Sequence, residues 1–237
     1  MQAPHERTAT ATAIVTGGTG GLGAAVTRRF LEASWRTVVP WYDKRELDRL
    51  DSHPALTLVQ ADLFDSASAR ACVAEATTDS AAPLTAVVNL VGGFVMGGRM
   101  HETSIEDFER QLRLNLRPAY LVCHAALPHL ISGGGGSIVC VSSRAALHPF
   151  PGAVGYVTSK AAVLALVDAL AVEYRDDGVR ANAVLPSVID TPANRAAQPD
   201  ADHDRWVRPE EIAEVIYGLC VGSEVVSGAH VPVYGRA

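Results

Sequence analysis

The sequence predicts an α/β fold, a doubly wound parallel sheet of seven strands with helices on both faces. Three observations carry that reading. Apolar, β-branched runs alternate with helical patterns along nearly the whole chain. The strand candidates are almost continuously apolar, as strands buried on both faces are. A glycine-rich turn joins the first strand to the first helix, the place where such sheets hold ligands. Parallel strands joined through helices cross over with a right-handed sense, which makes double winding the natural topology.

Each element has its own signal. Strands are expected at Thr12–Thr16, Thr37–Trp41, Leu56–Gln60, Ala86–Leu90, Ser137–Val141, Arg180–Leu185 and Ala229–Val233. Helices are expected at Leu22–Ala33, Ser66–Thr77, Ile105–Leu130, Tyr156–Tyr174 and Pro209–Cys220. Thr103 or Ser104 can cap the third helix, with Glu106 as a first-turn acid. The run Gly133–Gly136 ends it and turns the chain into the fifth strand. Pro209, Glu210 and Glu211 read as a helix start, with proline in the first turn and acids at the positive end of the dipole. Residues 1–10 read as a tail. Residues 11–237 read as a single domain, since α/β chains of up to about 250 residues often fold as one.

Composition narrows the function. The chain has 237 residues, 48% hydrophobic and 19% charged, a balance that supports a packed core and argues against disorder. A net charge of -6 without long charge runs points to no nucleic-acid or membrane-surface partner. Cys72, Cys123, Cys140 and Cys220 lie in apolar segments without ligand spacing, as buried free thiols in a reducing compartment do. No secretory signal and no stretch of about 18 apolar residues is read, so a cytoplasmic location is expected.

The turn Thr16-Gly17-Gly18-Thr19-Gly20-Gly21-Leu22-Gly23 suits a pyrophosphate. Glycine lets the backbone turn tightly and bring N–H groups against phosphate, at a helix N-terminus that favours anions. Gly17, Thr19, Gly20, Gly21, Leu22 and Gly23 are therefore candidate dinucleotide contacts. After the second strand, Asp43 could hold a ribose 2′-hydroxyl, whereas Lys44 or Arg45 could hold a 2′-phosphate. NAD and NADP are both compatible. Asp62, followed by Leu63, sits where an adenine amino group could bind, or caps the following helix.

Tyr156 and Lys160 are four residues apart on a helical segment, which stacks them on one face. A phenol near pKa 10 is a poor base at neutrality, and a nearby ammonium is expected to lower it. The pair can then donate and accept a proton. His124, His129 and His148 have no matching ligand set, so no metal is expected.

With its neighbours this pair is similar to the short-chain dehydrogenase/reductase family, of the small single-domain type. The matching motifs are TGxxxGxG in Thr16–Gly23, Asn115 in the long helix, Ser143 thirteen residues before Tyr156, YxxxK in Tyr156–Lys160, and Ser227 to Gly235 near the end, where Tyr234 replaces an aspartate. The resemblance runs from Thr12 to Gly235 and implies a Rossmann fold. It also implies NAD(P)(H) as cofactor, hydride transfer with a small carbonyl or alcohol substrate, and a homo-oligomer, either a dimer or a homotetramer. It assigns Tyr156 as acid/base and Ser143 as polariser of the carbonyl oxygen, a place Ser142 would take if the loop were shifted. Lys160 would hold the nicotinamide ribose and tune Tyr156. Asn115 would interrupt helix bonding and hold a relay water. Asn89 and Gly92 stand where the family has NNAG, and Pro186 where it has PG, followed by Ile189 and Thr191 at the carboxamide positions.

Residues 183–206 also resemble dihydropteridine reductase, an atypical member of the family, which leaves pterin or imine reduction as an alternative. A dinucleotide-binding sensor without turnover is the alternative from another class. The segment near 190–208 reads as a substrate lid. Phe94, Met96, Met100, Phe150 and Trp206 are pocket or packing candidates.

Overall fold

The computed structural model describes residues 9–222 and 224–236. Seven parallel strands lie in the order β3-β2-β1-β4-β5-β6-β7. They are β1 Thr12–Thr16, β2 Arg36–Trp41, β3 Leu56–Gln60, β4 Leu84–Asn89, β5 Gly136–Val141, β6 Val179–Pro186 and β7 His230–Val233. The helices are α1 Gly21–Glu32, α2 Ser66–Ala76, α3 Ile105–Ser132, α4 Val154–Glu173, α5 Pro192–Ala197 and α6 Pro209–Val221. The order reverses between β1 and β4, which places a switch point where the glycine turn leaves β1.

Strand residues alternate between two cores. Ile14, Val87 and Ile138 face the layer of α2, α3 and α4. Ala13, Val15, Ala86, Val88 and Val139 face α1 and α6. Because both faces are covered, the strands carry no polar alternation. The four cysteines are free and buried.

Differences from the expectation are local. Helix α4 begins at Val154 rather than Tyr156, so Tyr156 sits inside the first turn with a helical backbone on either side. Gly133 caps α3 and β5 starts at Gly136. Two features were not anticipated: α5 within 190–208, and a 3₁₀ turn at Lys44–Arg49. Neither displays a long apolar period to announce it. Among the described residues, α4 is long and apolar enough on average to cross a bilayer by length and composition, although Lys160, Asp168 and Glu173 interrupt its apolar run. Its apolarity is that of a core-layer helix, burying Val163, Leu164, Val167, Leu170 and Ala171.

Candidate active site

The candidate residues gather at the carboxyl edge of the sheet. In the turn after β1, Gly20 N–H donates to the Gly17 carbonyl at 2.9 Å. A Cβ on Gly23 would lie 1.9 Å from that same oxygen, so only glycine lets α1 start against the turn. No side chain caps α1, and its first turn holds no acid. Its free N–H groups and positive dipole end are suited to a pyrophosphate. The cradle therefore fits a dinucleotide.

The unanticipated 3₁₀ turn latches onto this loop. The Thr19 hydroxyl donates to Glu46 Oε2 at 2.8 Å, and Arg49 donates to both the Thr19 carbonyl (3.0 Å) and Glu46 (3.1 Å). Asp43 caps the turn by accepting from Arg45 N–H, and its carboxylate also accepts from the Arg45 guanidinium. That guanidinium pulls the Asp43 pKa down to about 2. Two of the three residues expected to discriminate ribose hydroxyl from ribose phosphate, Asp43 and Arg45, are thus bound to each other, whereas Lys44 is not part of that pair.

Asp62 accepts from Phe64 N–H at 2.9 Å, while Asp65 caps α2. The capping alternative for Asp62 is corrected: a turn at Asp62–Asp65 separates it from the helix. Leu63 is buried. Asn89 ends β4 with its amide donating to the Cys123 (3.3 Å) and Cys140 (3.6 Å) thiols. Its side chain thus faces the core, leaving only its backbone for the crevice.

Gly92, Asn115 and Lys160 meet in space. A Cβ on Gly92 would lie 2.6 Å from Asn115 Oδ1 and 3.0 Å from Lys160 Nζ. Asn115 accepts from Gly93 N–H (3.0 Å) and donates to the Gly93 and Gln111 carbonyls (both 3.1 Å). Helix α3 continues across Asn115, whose amide donates to the Gln111 carbonyl one turn back. Its carboxamide also clamps the loop after β4 to α3.

Lys160 is buried, and its ammonium donates to the Val141 carbonyl at 3.0 Å. Loss of hydration brings its pKa down to about 8. Ser142 donates to the Lys160 carbonyl at 2.7 Å, so it anchors the α4 backbone. The Ser143 hydroxyl accepts from Ala145 N–H and its side chain lies close enough to the Tyr156 phenol to act on it. The geometry thus brings Ser143, not Ser142, to the phenol. Burial raises the Tyr156 pKa above its ordinary value, while the Ser143 side chain acts to lower it. The expected lowering by Lys160 is corrected: the ammonium lies 6.0 Å from the ring centroid and is committed to Val141. Phe94 meets the Tyr156 ring edge-on at 4.9 Å, and Phe150 packs beyond it at 6.1 Å from Phe94.

On the far side, Pro186 ends β6. The Ile189 carbonyl accepts from Asn194 and from Thr191 N–H. Thr191 caps α5 through its hydroxyl, and its methyl would meet a Cβ on Gly21 at 2.9 Å. The segment after β6 therefore reaches back to the glycine turn. Met96 and Met100 are exposed, and Trp206 packs on His203 rather than on Tyr156.

A parallel sheet with an uncapped glycine turn at its switch point, and half-buried Tyr156 and Ser143 with buried Lys160 beside it, defines a dinucleotide-dependent oxidoreductase of the Rossmann class. Comparison with known proteins narrows the class. The family model for short chain dehydrogenase matches residues 11–202. The chain is 37% identical over 198 residues to 2-(R)-hydroxypropyl-CoM dehydrogenase of Xanthobacter autotrophicus, covering 79% of each protein. It is 33% identical over 222 residues to 4-formylbenzenesulfonate dehydrogenase TsaC1/TsaC2 of Comamonas testosteroni, covering 86% of this chain and 88% of that one. It superposes on 3-ketoacyl-(acyl-carrier-protein) reductase from Brucella melitensis complexed with NADH, with TM-score 0.85 and 26% identity over 96% of this chain and 98% of that one. The chain belongs to the short-chain dehydrogenase/reductase family and is an NAD(P)-dependent oxidoreductase.

Proposed function

We propose that this protein interconverts a small carbonyl compound and its alcohol, with Tyr156 as the proton-transfer group. The observation that carries the reading is the convergence of Tyr156, Ser143 and Lys160 on the carboxyl edge of the sheet, beside the uncapped glycine turn. A bound nicotinamide dinucleotide supplies or accepts the hydride. Gly17, Thr19, Gly20, Gly21, Leu22 and Gly23 hold its pyrophosphate. Asp43, Asp62, Leu63, Asn89 and Gly92 border the adenosine side, with backbone rather than side chain at Asn89. Lys160, Pro186, Ile189 and Thr191 border the nicotinamide side.

In reduction, Ser143 hydrogen-bonds the carbonyl oxygen and polarises it, and Tyr156 delivers the proton that makes it a hydroxyl. A half-buried phenol with a raised pKa is protonated at neutral pH, the state a proton donor needs. Lys160, with a pKa near the working range, is placed to restore that proton. Asn115 positions the Gly93 loop against Lys160. Reduction of a pterin needs no polarising serine beside the tyrosine, so Ser143 favours a carbonyl substrate. A sensor without turnover needs no acid/base group at all.

The segment 190–208 acts as the lid over the substrate, starting where Thr191 lies against Gly21 of the glycine turn. Exposed Ile105 and Tyr120 on α3 and Val172 on α4 support a homo-oligomer built on those two helices, dimer or tetramer. Four buried free thiols suit a reducing, cytoplasmic setting. The test is a ketone and aldehyde panel with NADH and NADPH. Turnover by the wild type, abolished in Tyr156→Phe with cofactor binding retained, is expected. Cofactor binding with no oxidation of NAD(P)H across the panel would overturn the reading.

A further inference from the structure

Four arginines among the described residues are half-buried: Arg29, Arg36, Arg144 and Arg180. Three of them are anchored. Arg29 pairs with Glu214 at 2.6 Å, and Arg36 donates to Glu75 and to carbonyls of α2. Arg180 donates to the Leu219 and Cys220 carbonyls. Arg144 alone donates to no carboxylate or carbonyl among the described residues; its guanidinium lies 5.2 Å from the Tyr234 ring centroid. A half-buried cation without an acceptor is a standing electrostatic cost unless a ligand completes it.

Its position says which ligand. Arg144 directly follows Ser143, whose side chain lies beside the Tyr156 phenol. Tyr234 beneath it is held through its backbone, and its ring is packed by His148. Ser187, beside Pro186, donates to the Tyr234 carbonyl at 2.7 Å. The His148 ring meets it edge-on at 6.3 Å, and Tyr234 itself follows β7 directly. The loops after β5, β6 and β7 thus converge and hold, on the residue that follows Ser143, a guanidinium without an acceptor among the described residues. Arg195, the cation on α5, is by contrast consumed by Asp190 through two bonds.

We propose that Arg144 binds an anionic group, a carboxylate or sulfonate, carried by the substrate away from its reacting carbonyl. The inference rests on the carbonyl/alcohol reading and adds a substrate class to it. A planar guanidinium takes such a group through two parallel hydrogen bonds, and the Tyr234 face keeps it oriented without neutralising it. The 4-formylbenzenesulfonate dehydrogenase similar to this chain is named for an aldehyde with a sulfonate.

The test compares 4-formylbenzoate with methyl 4-formylbenzoate, and levulinate with methyl levulinate, in wild type, Arg144→Gln and Arg144→Lys. The anion is expected to be favoured at least ten-fold in kcat/KM, mainly through KM. Arg144→Gln should erase that preference while ester turnover stays within two-fold, and Arg144→Lys should keep part of it. Equal losses on anion and ester, or a wild type indifferent to the charge, would overturn the proposal. Should a glutamine at 144 fail to fold, Tyr234→Ala, which removes the orienting ring, should reduce the preference in the same sense. A second readout does not depend on turnover. Benzenesulfonate titrated into the NAD(P)H complex, followed by cofactor fluorescence, should bind at least ten-fold more weakly in Arg144→Gln. Equal binding in both would overturn the proposal even if the carbonyl reading stands. Ester turnover that depends on Tyr156 supports that reading whatever Arg144 does.

Discussion

Replacing Gly92 with alanine probes the point where three parts of the site touch. The added Cβ would lie 2.6 Å from Asn115 Oδ1 and 3.0 Å from Lys160 Nζ, well inside ordinary van der Waals separation. Neither neighbour is free to retreat. Asn115 is held by three hydrogen bonds to Gly93 and Gln111, and Lys160 by one to Val141. The methyl group must displace the carboxamide, the ammonium or the loop. Leaving one or two of these buried groups unpaired costs about 2 kcal/mol, which for a chain of this size lowers Tm by roughly 4–8 °C. A shift of about 1 Å in a positioning group can cost up to about a hundred-fold in rate, so kcat should fall at least ten-fold. Gly97→Ala is the control, because a Cβ there meets nothing within 4 Å. Thermal unfolding and steady-state kinetics on both variants decide the matter. A Gly92→Ala enzyme with wild-type Tm and kcat would refute the packing argument.

Other perturbations test separate parts. Lys160 titrates at about 8 in the fold against 10.5 when unperturbed. Between those values the unfolded chain binds more protons, so apo stability rises with pH across that window. A drop of that size corresponds to about 3 kcal/mol at pH 7. Lys160→Met removes this penalty but orphans the Val141 carbonyl, so a net gain of about 1–2 kcal/mol is expected at pH 7, turning into a loss of about 1–2 kcal/mol above pH 10.5, where the wild-type penalty is gone and the orphaned carbonyl remains. Urea unfolding at pH 7 and 10 checks it, and this stabler variant should be inactive. Arg45→Ala frees the Asp43 carboxylate and removes a cation from the ribose side. Its ratio of NADH to NADPH affinity should rise, as read by fluorescence titration. Gly23→Ala forces a Cβ to 1.9 Å from the Gly17 carbonyl oxygen, and nucleotide binding should be lost, as a thermal-shift titration would show.

Much of this was legible in the residues because the long-period signals are strong. All seven strands were placed from apolar runs, and β1 and β3 were read to the residue. The glycine turn, Tyr156 and Lys160 announce themselves by spacing. What escaped has a physical reason in each case. Helix α5 has six residues and no buried side chain, so it carries no apolar period. The latch of Glu46 and Arg49 onto Thr19 joins residues about thirty positions apart through polar side chains, which hydropathy does not register. Whether Ser142 or Ser143 faces the tyrosine turns on one residue of strand register, which pattern does not fix. The Tyr156 pKa went the other way from the expectation because spacing on a helix shows that two residues share a face. It does not show that the ammonium is already committed to a carbonyl on β5. Arg144 was invisible as a site because its distinction, a half-buried guanidinium with no acceptor among the described residues, is a property of three loops packed together.

The most direct test of the central claim is single-turnover reduction by Tyr156→Phe, with the enzyme preloaded with NAD(P)H. Loss of the phenolic proton should slow the chemical step by about 10²–10⁴-fold, while the Kd for the reduced cofactor stays within three-fold of wild type. A Tyr156→Phe enzyme that reduces its substrate within five-fold of the wild-type rate would contradict the account.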